Sequence, residues 1–325
     1  MSSIEEPLPT TSPNIITRPL NEKDLTEAKR IFHVAFGTFL GLADPTEFWP
    51  DRDYIRTRYF ADPSAALGAE VDGELVGSNF AANWGSVGFF GPLTIRPDYW
   101  DRGVGKRLLK RTMEIFENWG TEHIGLFTFA QSAKHVGLYQ KFGFWPRYLT
   151  AVMSAEVRPS AKVQGWTQYS QLSEDDRAEC LRAARDLTNA IYDGMDIESE
   201  IRAVADQGLG DILLLWDDSR LSGVAVCHCG GNTEAGNDTA YIKFAAVRPG
   251  PKVAELFDRL LDACQSFAVS RRLKRIEAGV NLARHEAYQQ MLAHGFHTAL
   301  QGVTMHKPNE PGYSRPGMYV IDDWR

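Results

Sequence analysis

The sequence predicts a mixed α/β protein made of two tandem copies of one domain, each a largely antiparallel sheet flanked by helices. The first observation is a repeat, in which residues 93–97 (LTIRP) recur as residues 245–249 (AAVRP), 152 positions later. The second is that each copy alternates β-rich segments with amphipathic helical segments, which is typical of a mixed fold. The third is the length of 325 residues, which favours about two domains.

The repeat also predicts where the domains lie. The offset of 152 pairs the Leu-Leu sequence at 108–109 with 260–261, and the Gly-Phe sequence at 143–144 with 295–296. Earlier in each copy the offset is 146, because a Gly/Asn-rich stretch at 230–239 (GGNTEAGNDT) indicates a longer hairpin loop in the second copy. We therefore expect a first domain at 14–158 and a related second domain at 159–325, after a disordered tail at 1–13.

The elements of the first copy follow from local patterns. In order, they are a strand at 15–18, helices at 22–36 and 51–60, strands at 65–71, 74–82 and 86–95, a helix at 103–119, a strand at 123–129, a helix at 133–142 and a closing strand at 145–157. The first helix has Ala28, Ile31, Phe32 and Ala35 at helical spacing. Asp72-Gly73 between two β-rich runs is a strong hairpin signal.

Composition narrows the function classes. The chain has 35 Lys and Arg against 42 Asp and Glu, a net charge of -7, which argues against a broad nucleic-acid surface. No apolar run approaches the ~20 residues of a membrane span, and the acidic N-terminus lacks the features of a signal peptide. The 4 cysteines are few for this length. We therefore expect a cytoplasmic protein with no membrane or nucleic-acid partner.

A glycine-containing turn at residues 95–106 (IRPDYWDRGVGK) connects a strand to an amphipathic helix. Gly103 and Gly105 allow close approach of a ligand to the backbone, and the helix N-terminus presents free N–H groups that suit a phosphate. Arg102 and Lys106 belong to the most basic stretch of this acidic chain. The turn therefore predicts a site for a phosphate-bearing ligand.

Together with residues 132–144 (SAKHVGLYQKFGF), this turn resembles the motifs of the GNAT N-acetyltransferase superfamily. The family order is V-x-P, then Q/R-x-x-G-x-G/A, then A-x-x-L-Y-x-x-x-G-F. The resemblance implies an acyltransferase that uses acetyl-CoA as co-substrate, with Tyr139 as the general acid that protonates the CoA thiolate. The implied cofactor-binding residues are Leu93, Thr94 and Ile95 for pantetheine, Asp101, Arg102, Gly103, Val104, Gly105 and Lys106 for the pyrophosphate, and Ser132.

The sequence departs from the family pattern at two positions. Trp100 stands where the family has Gln or Arg, so we expect a weaker or altered grip on CoA. Ser132 stands where an asparagine is common, and its hydroxyl can still form a hydrogen bond.

The second copy lacks the same residues. The offset of 152 places Glu255 opposite Gly103, Phe257 opposite Gly105 and Met291 opposite Tyr139. A bulky, acidic loop does not suit a pyrophosphate, and methionine cannot donate a proton. We interpret the second copy as degenerate, although Tyr288, one helical turn before Met291, leaves a shifted proton donor open.

The sequence predicts the amine acceptor and the general base less specifically than it predicts the cofactor-binding residues. Glu70 on a strand and a chain of water molecules are both open as the base. In this family the acceptor is contacted by the segment between the first two helices and by the last hairpin, here residues 38–49 and 145–150. An apolar amine pocket could use the aromatic residues Phe39, Phe48, Trp49, Trp84, Phe89 and Phe90.

We expect no metal. Cys227-His228-Cys229 would send its histidine to the opposite strand face from the two thiols, and no second cysteine pair completes a zinc site. The functional prediction is direct acetyl transfer in a ternary complex to a primary amine, either a small molecule or a protein lysine or N-terminus, with a homodimer possible. The alternatives are a non-catalytic acetyl-CoA-binding or sensing module, and activity in the second copy.

Overall fold

The two halves of the chain repeat one order of helices and strands, as the sequence predicts. The computed structural model describes residues 14–158 and 164–325, so the predicted tail at 1–13 and the first residues of the predicted second domain lie outside the described residues. The first half contains β1 (Ile16–Pro19), α1 (Leu25–Leu40), α2 (Tyr54–Ala61), β2 (Ala66–Val71), β3 (Glu74–Trp84), β4 (Val87–Phe90), β5 (Thr94–Ile95), α3 (Val104–Trp119), β6 (His123–Thr128), α4 (Ala133–Gln140) and β7 (Trp145–Glu156). The second half contains β8 (Trp166–Gln168), α5 (Glu174–Asn189), α6 (Glu198–Gln207), β9 (Gly210–Asp217), β10 (Arg220–Gly230), β11 (Gly236–Val247), α7 (Val253–Ser270), β12 (Arg275–Asn281), α8 (His285–Ala293), β13 (His297–Lys307) and β14 (Val320–Ile321).

Local sequence explains most of these boundaries. The β2–β3 hairpin turns at Asp72 and Gly73, which have φ values of 51° and 85°, as the Asp-Gly signal predicts. Helix α3 buries Leu108, Leu109 and Phe116 and ends at Gly120 in the left-handed region. The prediction of one strand over 86–95 is wrong, because β4 ends before Gly91-Pro92 and β5 begins after it. Pro92 has no N–H group to continue the ladder.

All 14 strands of the described residues belong to one sheet, and the halves exchange their closing strands. Strand β13 of the second half lies antiparallel to β6 of the first half, with Val303 opposite Thr128 and Lys307 opposite Ile124. Strand β7 of the first half pairs instead with β12 of the second half. The central order is therefore β6-β13-β7-β12, and neither half completes its sheet with its own last strand.

The C-terminal segment continues this exchange. The sequence YVIDDWR at residues 319–325 predicts a closing strand that could pack on the first domain. The strand part, β14, pairs with β11 of the second half, with Val320 opposite Ala246. The last residues then reach the first half, where Trp324 packs flat against β6 at Gly125. A Cβ on Gly125 would lie 2.0 Å from the Trp324 ring, so only glycine fits there.

Two buried histidines lie at the seam between β6 and β13. His123 Nε2 and His306 Nδ1 are 2.9 Å apart and share a hydrogen bond. Burial lowers the pKa of both imidazoles, and the nearby Arg147 charge lowers them further. Both rings are therefore neutral in the folded chain at pH 7. The unfolded chain binds protons at these histidines below about pH 6.5, so stability is lost as pH falls from about 6.5 toward 4.

We expect acid to destabilise the fold through this pair. Protonation of a single such histidine in the unfolded chain alone costs about 2 kcal/mol of stability between pH 7 and pH 5. We expect the urea concentration at the unfolding midpoint to decrease as pH is lowered from 7 to 6 and 5 in the wild type. The decrease should be smaller in His123→Gln. An equal pH dependence in the two proteins would contradict the role of the histidine pair.

No helix in residues 14–158 and 164–325 is both long and apolar enough to cross a bilayer. The four cysteines are free thiols. Cys227 packs in the core against α7, while His228 on the opposite strand face lies near Lys243 and Glu234. Within the same described ranges, no group of three His, Cys, Asp or Glu side chains is arranged to hold a metal ion.

Candidate active site

A cavity of about 800 Å³ lies in the first half, where the sheet opens between β5 and β6. Strand β4 pairs with β6 from Val87 to Phe89. Strand β5 pairs with β3 but, in the described structure, not with β6. The backbone of Leu93, Thr94 and Ile95 therefore borders the cavity with a free edge, as expected for a strand that takes a ligand as its neighbour.

Arg58 of α2 fixes the turn that opens the sheet. Its Nη1 donates to the carbonyl oxygen of Gly91 at 2.5 Å, and its Nε donates to Glu234 at 2.9 Å. Glu234 belongs to the 230–239 loop of the second half, which was predicted only as an extended hairpin loop. Burial opposes the charge of this carboxylate, but the Arg58 and Lys243 charges hold the pKa of Glu234 below its usual range. The second half thus braces the opening of the first.

The turn before α3 presents unbonded amide groups to the cavity. Asp101 and Gly103 have φ values of 62° and 86°, and α3 begins directly after Gly103. No acceptor in the described residues bonds the backbone N–H groups of residues 101–106. Trp100, the departure from the family pattern, donates from Nε1 to the Ile95 carbonyl at 2.8 Å and so joins the turn to β5. This turn and residues 93–95 together are called the cofactor groove below.

Most of the residues predicted for the site line this one cavity. They are Leu93, Thr94, Ile95, Asp101, Gly103, Val104, Gly105, Lys106 and Tyr139. Arg102 and Ser132 are not among the lining residues. The Arg102 guanidinium lies 5.0 Å from the centre of the Tyr99 ring, and the Ser132 hydroxyl caps α4 by accepting from the His135 N–H. The roles of all these residues stay predictions.

Tyr139 and His135 project from one stripe of α4 into the cavity. The Tyr139 hydroxyl has no hydrogen-bond partner in the described part of the chain, and burial raises the pKa of this phenol, so it stays protonated at pH 7. His135 lies with its ring centre 5.0 Å from that of Phe39 on α1. Burial lowers the pKa of His135, which keeps the imidazole neutral at pH 7. The two side chains are therefore a neutral acid and a neutral base in one apolar space.

Glu70, the base candidate from the sequence, does not line the cavity. Its carboxylate accepts from Arg18 Nε at 2.9 Å across the β1–β2 pair. Asp101 is the one carboxylate among the described lining residues, and it is paired with Lys134 at 2.9 Å. In the sequence, His135 is marked only by its position one helical turn before Tyr139. Its selection as a base needed the position of α1, which the sequence does not give.

The aromatic residues divide between the cavity and the core. Phe39, Phe48, Trp49 and Phe90 line the cavity, with Phe36 and Tyr54 beside them. Trp84 and Phe89, which were grouped with them from sequence, pack in a core cluster with the second half. We call the wall formed by Phe36, Phe39, Phe48, Trp49 and Tyr54 the aromatic arm.

The second segment that was expected to contact the acceptor, residues 145–150, lies outside the cavity wall, and a residue of β13 takes its place. Residues 145–150 do not line the cavity, whereas Leu300 of β13 does. The strand exchange is the reason, because it places β13, rather than β7, beside β6. Trp324 and Arg325 also line the cavity, so residues of the second half complete its wall.

The corresponding edge in the second half is filled by the chain itself. Ala245 and Ala246, at the positions of Leu93 and Thr94, pair with Ile321 and Val320 of β14. Phe257 and Met291, the counterparts of Gly105 and Tyr139, are fully buried in the core of the second half. Tyr288 packs against that same core.

Comparisons with known proteins agree with this architecture. Residues 30–144 match the acetyltransferase (GNAT) family model. A candidate acetyltransferase from Pyrococcus horikoshii is similar over 100% of this chain and 99% of its own, with a TM-score of 0.68 and 16% identity. A GCN5-related N-acetyltransferase from Sphaerobacter thermophilus is similar over 91% of this chain and 96% of its own, with a TM-score of 0.57 and 15% identity.

A tandem GNAT protein from the clavulanic acid biosynthesis pathway is similar over 90% of this chain and 98% of its own. The TM-score is 0.54 and the identity 12%. At these identities the similarity concerns the fold, and it includes the tandem arrangement. No curated protein matches the sequence.

Proposed function

We propose that the first half, in which residues 30–144 match the acetyltransferase (GNAT) family model, binds acetyl-CoA and transfers its acetyl group to a primary amine in a ternary complex. The observation that carries this proposal is the cofactor groove, where a free strand edge and unbonded amide groups lead to the Tyr139 hydroxyl in one cavity. A strand edge suits an amide-containing arm, and a helix N-terminus suits a pyrophosphate.

Different residues of the cofactor groove bind different parts of acetyl-CoA. The backbone of Leu93–Ile95 holds the pantetheine, and the amides of residues 101–106 hold the pyrophosphate with Lys106 beside them. Gly105 keeps the groove open, because a Cβ at this position would lie 3.1 Å from Ile95 Cδ1 and 3.5 Å from Leu138 Cδ2. The bound molecule supplies an acetyl thioester.

The acid and base of α4 then move the protons. His135 takes one proton from the acceptor ammonium, which frees the nitrogen lone pair to attack the thioester carbonyl. The C–N bond forms and the C–S bond breaks. Tyr139 donates its proton to the leaving thiolate and regains one from the new amide nitrogen, and His135 releases its proton to solvent. One ammonium thus yields one amide, one thiol and one proton.

The second half serves this site without a cofactor site of its own. Strand β14 occupies the edge that corresponds to the cofactor groove, and Met291 replaces the acid. Glu234, Leu300 and Trp324 instead support and line the cavity of the first half. The homodimer and the cytoplasmic location stay predictions.

Titration calorimetry with acetyl-CoA, followed by a thiol-release assay with a panel of amines, tests the proposal on the whole chain. We expect one site per chain and thiol release that depends on the amine. Two sites would contradict the degenerate second half. Binding without amine-dependent thiol release would favour the sensing module, and absence of binding would overturn the proposal.

A further inference from the structure

The aromatic arm ends at a buried hydroxyl that has no partner. Tyr54 lines the cavity and is 2% exposed, and its hydroxyl makes no hydrogen bond to any of the described residues. Burial raises the pKa of Tyr54, so the group is a proton donor at pH 7. A buried donor without a partner is unfavourable unless a ligand or water supplies an acceptor. This end of the cavity therefore lacks one hydrogen-bond acceptor.

The charges around this hydroxyl are already balanced. The cations are Arg52, Arg58, Lys243 and Arg325, and the carboxylates are Glu200, Glu234, Glu277 and Asp323. Each cation lies within 3.0 Å of one of these carboxylates, from 2.8 Å for Arg52 and Glu277 to 3.0 Å for Lys243 and Glu234. Arg325 has two guanidinium nitrogens, Nε and Nη2, without a hydrogen-bond partner in the described residues, but its charge is paired with Asp323 at 2.9 Å. An additional carboxylate would enter a buried region in which each of these cations already has a carboxylate partner, and it would lose its hydration. This pairing favours a neutral oxygen as the acceptor for the Tyr54 hydroxyl.

The wall that leads to Tyr54 is a series of nearly parallel rings. Phe36 and Phe48 have ring centres 5.1 Å apart and planes 17° apart. Phe48 and Trp49 follow at 4.5 Å and 25°, and Trp49 and Tyr54 at 5.9 Å and 20°. A flat ring packs against such a wall by stacking or edge contacts. Trp324 of the second half also lines the cavity here.

We propose that the acceptor is an amine carried on a flat aromatic body, and that the Tyr54 hydroxyl donates a hydrogen bond to a neutral oxygen on the far side of that body. This inference rests on the proposed acetyl transfer and specifies its substrate class. The amine lies toward His135 and Tyr139, and the oxygen lies toward the boundary between the halves. Tyr54 is then a specificity residue contributed by α2.

Three matched amines test this assignment on the whole chain: phenethylamine, its para-methoxy derivative and its para-carboxylate derivative. We expect kcat/KM to be highest for the methoxy amine and lowest for the carboxylate. In Tyr54→Phe, the preference for methoxy over unsubstituted phenethylamine should fall about tenfold, since one hydrogen bond is removed. Acetyl-CoA affinity should not change, because Tyr54 lies outside the cofactor groove, and kcat/KM for phenethylamine is the reference against which the methoxy preference of each protein is expressed. Tyr59→Phe, on the same helix but outside the cavity wall, is the matched control.

The outcomes separate this inference from the proposed function. Loss of acetyl-CoA binding in the wild type would overturn the proposed function itself. Acetyl-CoA binding without acetylation of any of the three amines would overturn the aromatic class alone. An unchanged methoxy preference in Tyr54→Phe, or an equal loss for all amines, would overturn the role of the hydroxyl, and thermal unfolding would show whether the variant is folded.

Discussion

Replacement of Gly105 by glutamate is expected to abolish acetyl-CoA binding. The new side chain begins 3.1 Å from Ile95 Cδ1 at a position that lines the cavity, so we expect its carboxylate to extend into the cofactor groove. There it would fill the space that we propose for the pyrophosphate and would set a carboxylate against that anion at the N-terminus of α3. Calorimetry should therefore change from one site per chain to none, a loss of more than about 100-fold in affinity, which corresponds to about 2.7 kcal/mol.

Gly105→Ala is the matched control for this substitution. Its Cβ makes the same close contact with Ile95 but adds neither length nor charge, so it should bind acetyl-CoA within about tenfold of the wild type. Thermal unfolding should show both variants folded. Retention of wild-type affinity in the folded glutamate variant would place the cofactor elsewhere.

Loss of either α4 side chain should stop turnover while leaving acetyl-CoA bound. Tyr139→Phe removes the proposed proton donor, and His135→Gln removes the proposed base. General acid or base catalysis contributes about 10²–10⁴-fold, so each variant should lose that much in kcat with an amine that the wild type acetylates. Steady-state kinetics should show little change in the KM for acetyl-CoA.

The pH profile distinguishes the two roles. Burial lowers the pKa of His135 below its usual 6.5, so the wild-type rate should fall as pH decreases through a value below 6.5, where the imidazole becomes protonated. His135→Gln should lack that limb, whereas Tyr139→Phe should keep it at a lower rate. Gln140→Ala, an exposed change on the same helix, should behave as the wild type. Loss of rate in His135→Gln with the limb intact would show that His135 only supports the structure.

Local patterns in the sequence were sufficient for the elements but not for their partners. Asp72-Gly73 specifies its hairpin through backbone conformation alone, and the apolar spacing of α3 specifies its buried face. Alternation in residues 145–157 predicts a strand there, but it carries no information on whether β6 or β12 is its neighbour. The exchange of β7 and β13 was therefore outside the reach of periodicity, and so was the substitution of Leu300 for residues 145–150 in the cavity wall.

The candidate site was predicted to a similar extent. The residues of the two motifs lie together because the motifs are close in the sequence. Helix α3 leads directly into β6, and β6 leads directly into α4. Glu70 was a candidate base because it lies on a strand. Its position is decided by the pairing of β1 with β2 and by its ion pair with Arg18, which keep it away from the cavity. Tyr54, His135 and Arg58 gain their significance only from contacts with distant segments, and no local pattern marks them.

The exchange of β7 and β13 affects when the first sheet can be completed during translation. Strand β6 ends at Thr128, but its antiparallel neighbour β13 ends at Lys307, so the ribosome must add almost the whole second half before the first sheet is complete. At typical elongation rates this interval is roughly 10–40 s, during which β13 is not yet available to pair with β6. A chain interrupted between α4 and β13 would carry every residue of the cofactor groove and still lack Leu300 and Trp324 of the cavity wall. Until β13 is synthesised, the edge of β6 would need protection from aggregation.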